Sequence, residues 1–172
     1  IYCCYNSSPT IEGNTITDNT AVNGGGIYCT NSSPTIRGNS IENNATQFLG
    51  YGAGIYCEAN SSPTIESNTV SGNTAGGHAG GIYCHNSSPT ISNNVIEDNS
   101  ANVAGGICCE SNSSPTISDN IIIQNTCLSI GGIYCWDHSC PTIRNNIVAD
   151  NTGEGGMIAC EWYSLSLIHI SE

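Results

Sequence analysis

Glu58, His85 and Glu110 each stand one position after the cysteine of an Ile-Tyr-Cys or Ile-Cys-Cys segment, in three successive copies of that segment. Trp136 holds the same point one copy later, with Asp137 and His138 next to it where other copies carry Asn or Ser. Two carboxylates two strand spacings apart would lie roughly 9 to 10 Å from one another. That is the wide end of the range for an inverting glycoside hydrolase, with one group as general acid and the other as general base. A histidine between two glutamates could also hold a divalent cation such as calcium, the one cofactor this stripe suggests. The plainer arrangement is a solvated stripe in which His85 eases the repulsion between Glu58 and Glu110.

What must position these residues is a repeat. Pro9, Pro34, Pro63, Pro89, Pro115 and Pro141 are spaced by 25, 29, 26, 26 and 26 residues, and each is followed by Thr-Ile. Asn14, Asn39, Asn68, Asn94, Asn120 and Asn146 form a column after that Ile, and Asn19, Asn44, Asn73, Asn99, Asn125 and Asn151 form a second one. Between the two columns lie Ile16, Ile41, Val70, Ile96, Ile122 and Val148. Ile27-Tyr28-Cys29, Thr35-Ile36-Arg37 and Ser40-Ile41-Glu42 alternate with period two, and no stretch carries the 3.6-residue period of a helix. Asn-Ser-Ser-Pro, Gly-Asn and a Gly-rich stretch separate the three short strands as bends. One copy has a single apolar row and cannot bury it alone, so copies must stack. The pattern predicts an all-β, right-handed parallel β-helix of about six and a half coils of ~26 residues, with three short strands per coil. The asparagines of the turns would stack as amide ladders.

The stacking assigns faces. Cys3, Cys29, Cys57, Cys84, Cys109, Cys135 and Cys160 point inward as small buried hydrophobes. Cys127 joins an inward small-residue column with Ala75 and Ala101. Cys108 takes an outward place and is expected to be the exposed thiol. A straight thiol column and the absence of a Cys-x-x-Cys pair assign no metal ligand set. Tyr2, Tyr28, Tyr56, Tyr83 and Tyr134 make an outward aromatic stripe that could either stack sugar rings or simply stabilise the sheet. Arg37 between Glu12 and Glu66 reads as a surface charge ladder. The Asn-Ser-Ser runs at Asn6, Asn31, Asn60, Asn86 and Asn112 fit a glycosylation sequon, but their recurrence is better explained by turn chemistry. The longest turn, Ala45 to Gly54, holds Phe48, Leu49 and Tyr51, and an aromatic loop on a rigid scaffold is where a partner contact is expected.

Composition excludes some partners. The formal net charge is −12, with no Lys and two Arg, so a nucleic-acid footprint is excluded. No apolar run reaches the roughly 18 residues of a membrane span, so this segment is not expected to insert.

The repeated Gly-Gly-Ile and Ile-x-x-Asn columns resemble the right-handed β-helix proteins of the pectate-lyase-like superfamily. They are also similar to the repeats of polymorphic outer-membrane proteins, with Ile in place of Phe. The resemblance covers residues 1 to about 161 and implies the fold, while its members include lyases, hydrolases, adhesins and stalks. It implies an extracellular or cell-surface location, in keeping with Asn- and Thr-rich coils without Lys. Pectate-lyase chemistry would need an acidic calcium cluster with a basic residue beside it, and no Lys or suitably placed Arg is present. Asp18, Asp98 and Asp150 share a column but are separated by Asn43, Gly72 and Gln124, so no polygalacturonase-type triad converges.

Residues 1–163 are therefore expected to form one β-helix domain, with further coils of the same chain at both ends, since the sequence starts in mid-repeat. Ser164 to Glu172 fits no column and resembles a translated sequencing-adapter tail, the alternative being a divergent last strand. The expected role is a structural or adhesive rod that meets a polysaccharide or surface protein through Tyr56, Tyr83, Tyr134, Trp136, Asp137, His138, Phe48 and Tyr51. The alternative is a carbohydrate-active enzyme, or its non-catalytic part, with Glu58, His85 and Glu110 as the catalytic candidates. Cys29, Cys57, Cys84, Cys109 and Cys135, with Asn39, Asn68, Asn94, Asn120 and Asn146, are the structural ladders.

Overall fold

The computed structural model describes residues 1–164 and 167–169. It is a parallel β-solenoid in which every strand pairs with its counterparts in the coils above and below. The first sheet has seven strands, from Tyr2–Cys3 through Ile27–Thr30, Ile55–Glu58, Ile82–His85, Ile107–Glu110 and Ile133–Cys135 to Ile158–Cys160. The second runs from Thr10–Glu12 to Leu167–His169, and the third, of six strands, from Thr15–Thr17 to Ile147–Ala149. Register is in phase throughout: Cys57 faces Cys84, Cys84 faces Cys109, and Ile65 faces Ile91. Strand Leu167–His169 pairs with Thr142–Arg144, setting Ile168 opposite Ile143. That places part of the tail in a column the sequence reading left empty, while residues 165–166 and 170–172 lie outside the described residues.

The interior follows from the alternation. Ile27, Ile36, Ile41, Ile55, Ile65, Ile82, Ile91, Ile96, Ile107, Ile117 and Ile122 are fully buried, and the inward cysteines form one continuous core with them. Each buried isoleucine contributes roughly 1.5–3 kcal/mol of hydrophobic stabilisation. Among the described residues no disulfide joins any of the cysteines. A parallel stack directs neighbouring side chains the same way, a poor fit to the disulfide torsion.

Polar ladders close the turns. Asn68 donates its backbone N–H and its side-chain amide to Asn94 Oδ1, at 2.9 and 3.0 Å, and Asn94 does the same to Asn120. The column Asn44–Asn73–Asn99–Asn125–Asn151 repeats that geometry. Each side chain also donates to a carbonyl of the coil on its other side, as Asn94 Nδ2 does to Ile65 O at 2.9 Å. These asparagines are buried, so the amide groups meet one another's hydrogen-bonding needs where water cannot reach. Serines at the same point of the turns add further links: Ser87 N–H donates to Ser113 Oγ, and Ser113 N–H to Ser139 Oγ. The preceding Asn31, Asn60, Asn86 and Asn112 have φ of 47, 63, 47 and 62°, left-handed values that Asn tolerates well. This supports the turn-chemistry account of the Asn-Ser-Ser runs.

The second glycine of each Gly-Gly pair lets coils approach. A Cβ on Gly81 would sit 2.6 Å from Gly106 O, and one on Gly106 would sit 2.6 Å from Gly132 O. No helix among the described residues is long and apolar enough to cross a membrane.

Candidate functional site

The outer face of the first sheet carries the chemistry. Register places His85 opposite both Glu58 and Glu110, so the three lie on successive coils as the spacing requires. Their surroundings differ from an open stripe. The segments entering the first sheet fold back over its outer face. Tyr56, Tyr83, Cys108 and Tyr134 are buried there with Ala79, Ala104 and Ile130, and Tyr51, Val103 and Trp136 pack against them. Ala79 and Ala104 have φ of 55 and 63°, the backbone turn that brings each four residues ahead of, and onto, the Tyr/Cys column.

Two expectations are corrected by this closure. Tyr56, Tyr83 and Tyr134 do not offer open faces to a sugar ring, Tyr83 being only 3% exposed. Cys108 points outward from the sheet yet is fully buried, and Cys140 is instead the exposed thiol. Outward from a solenoid coil means solvent only where no turn lies on top.

The carboxylates are held by this covered layer. Glu58 accepts hydrogen bonds from the hydroxyls of Tyr28 and Tyr56, the latter at 2.7 Å. Glu110 Oε2 accepts the Tyr83 hydroxyl and lies 3.2 Å from His78 Nδ1. Burial pushes the Glu110 carboxyl up, but its bonds with His78 and Tyr83 outweigh that and leave it below its ordinary value. Burial pushes the Tyr83 and Tyr56 hydroxyls up, with neighbouring carboxylates adding to it. Burial, then the Glu110 charge, holds the Cys108 thiol well above its usual range. Glu110 thus does not resemble a general acid with a raised pKa. His85 stacks its ring on Tyr83, with centroids 6.2 Å apart, rather than bridging the glutamates.

The histidine that meets Glu110 is His78, which the sequence places only as a variable residue of the preceding turn. His78, Cys108 and Glu110 bring one ligand atom each to within 4.8 Å of one another, the one such group of three among the described residues. Tyr51 reaches over from the longest turn, stacking on Tyr83 at 5.3 Å and meeting the His78 ring edge-on at 5.3 Å. The expected Phe48–Tyr51 contact loop is therefore divided. Tyr51 packs inward, while Phe48 at the tip is 90% exposed.

A second cluster forms near the other end. Trp136 meets Trp162 edge-on at 6.3 Å, and His138 stacks on Tyr163 at 5.3 Å. Asp137 accepts from His138 Nδ1 at 3.0 Å and from Ser111 Oγ at 3.1 Å, bonds that draw its carboxyl below the usual range. Trp162 and Tyr163 are 68% and 83% exposed. They were missed because they fall after the last clear repeat. Elsewhere Arg37 pairs with Glu12 at 2.8 Å, an exposed pair of small energetic weight.

A family model described as the right-handed beta helix region matches residues 1–152. Neither the curated proteins nor the solved structures compared with the chain gave a match. With the in-register parallel sheets, the turn ladders and that match over most of its length, the chain belongs to the right-handed β-helix family.

Proposed function

We propose that this chain is part of a secreted or surface-displayed β-helix that serves as a structural, adhesive rod. It meets a polysaccharide or a surface protein through aromatic side chains at its irregular points. The observation that carries the reading is how the aromatic residues divide. Tyr56, Tyr83 and Tyr134 of the regular column are sealed into the body, while Phe48, Trp162 and Tyr163 stand exposed where the repeat is broken. Trp162 and Tyr163 adjoin Asp137 and His138, so apolar faces and hydrogen-bonding groups lie together, the combination a sugar needs. Residue-long polar ladders make the support stiff, because each coil is tied to the next through buried amides. A polysaccharide hydrolase using Glu58 and Glu110 is less well supported, since both carboxylates are occupied by tyrosine hydroxyls.

The test is incubation with a panel of plant and microbial polysaccharides, reading both retention on the polymer and release of reducing ends or unsaturated sugars. The rod reading expects binding without product, lost in the Trp162→Ala/Tyr163→Ala or Phe48→Ala variant. Product formation that disappears in Glu110→Ala would overturn it in favour of the enzyme.

A further inference from the structure

We infer that His78, Cys108 and Glu110 form a binding site for a thiophilic divalent metal ion of the zinc class, clipping the turn that carries His78 to the first sheet. This is independent of the rod reading, because none of its ligands is one of the exposed aromatics. Three donor types converge from two successive coils: imidazole nitrogen, thiol sulfur and carboxylate oxygen, mutually within 4.8 Å. A tetrahedral zinc ion with one ligand of each kind requires donor separations of roughly 3.3–3.6 Å. His78 Nδ1 and Glu110 Oε2 are already 3.2 Å apart, so only a small closing movement is needed.

The site has the features that favour a metal over a chance contact. Cys108 replaces tyrosine in the column at the coil that also supplies Glu110, and it directly follows the coil whose turn supplies His78. Its sulfur is fully buried, which protects a thiolate–metal bond from water and oxidants. The His78 and Glu110 side chains retain 24% and 14% exposure, giving the ion an entry from solvent. The Tyr83 hydroxyl donates to the same Glu110 oxygen that faces His78, and the Tyr51 ring meets His78 edge-on. Such supporting contacts orient metal ligands and tune their affinity. A thiolate selects zinc, cobalt or similar ions and disfavours calcium and magnesium, which take oxygen ligands. Binding forms the sulfur–metal bond as the Cys108 S–H bond breaks, and the proton passes to solvent.

Cobalt(II), a spectroscopic stand-in for zinc, is titrated into the reduced full chain, with competition by zinc. The expected result is one equivalent bound. It brings a near-ultraviolet thiolate-to-cobalt charge-transfer band, intense visible bands of tetrahedral cobalt, and displacement by zinc but not by calcium. The charge-transfer band disappears in Cys108→Ala. His78→Gln, at a partly exposed turn position, binds cobalt at least ~10-fold more weakly. Absence of the band in the parent, its persistence in Cys108→Ala, or unchanged affinity in His78→Gln would overturn the assignment.

Discussion

His78 Nδ1 lies 3.2 Å from Glu110 Oε2, although the two residues are 32 positions apart and belong to a turn of one coil and a strand of the next. The contact joins the folded-over turn to the outer face of the first sheet. The same carboxylate oxygen accepts the Tyr83 hydroxyl. Removing the charge should loosen both attachments. Glu110→Gln is expected to cost about 1–2 kcal/mol in urea unfolding near neutral pH. Because the folded state holds Glu110 below its ordinary 4.5, its contribution is present above that pH and lost as pH falls through the folded value. The parent should therefore lose more stability than Glu110→Gln on acidification through that range.

At the alkaline end the sign reverses. Burial raises the Cys108 thiol and the Tyr83 and Tyr56 hydroxyls above their ordinary 9.0 and 10.0. Each contributes stability that is whole below the ordinary value and lost as pH rises, because only the unfolded chain can release the proton. The slope is about 1.4 kcal/mol per pH unit for each such group. Urea midpoints measured across the alkaline range should fall steeply, and Cys108→Ala should fall less steeply than the parent.

The amide ladders provide a graded test. Asn94 accepts two hydrogen bonds from Asn68 and donates to Ile65 O, Ser92 O and Asn120 Oδ1. Asn94→Ala leaves buried donors and acceptors unpaired and should cost roughly 3–6 kcal/mol. Asn14 stands exposed at the end of the same column and its side chain only donates, so Asn14→Ala should cost about 1 kcal/mol or less. Chemical denaturation of the two variants side by side checks the difference.

A finer contrast lies in the serine ladder. Ser113 Oγ accepts from Ser87 N–H and lies 2.6 Å from Glu110 O, whereas Ser87 Oγ is buried without a hydrogen-bond partner. Ser113→Ala should destabilise by about 1–2 kcal/mol, and Ser87→Ala should be neutral or slightly stabilising. Equal losses in thermal or urea unfolding would show that the two hydroxyls are used alike.

Columns fixed by repetition were readable from the residues alone. Pro-Thr-Ile, Ile-Tyr-Cys and the two asparagine positions each occupy one point of the coil, and period-two alternation decides which side chains enter the core. What alternation does not encode is the layer above the sheet. Nothing in the residue type of Ala79 or Ala104 announces a left-handed backbone, yet that turn is what lays the chain over Tyr83 and Cys108. The exposure expected for Cys108 and the tyrosines therefore failed, although their outward direction was right. For the same reason the sequence paired Glu110 with its column neighbour His85, while the folded-over turn delivers His78. Trp162 and Tyr163 were overlooked because they lie where the repeat has faded, although that is also where aromatic side chains become free to stand exposed.

Amide hydrogen exchange tests most directly whether the ladders tie the coils into one rigid body. The N–H groups of Asn68, Asn94 and Asn120, each bonded to the side chain of the next coil, should be among the slowest in the chain and exchange only through global unfolding. The amides of Phe48 and Leu49, at the exposed tip of the long turn, should exchange orders of magnitude faster. Exchange at Asn94 as fast as at Leu49 would mean that the ladders open independently, and would contradict a rigid rod.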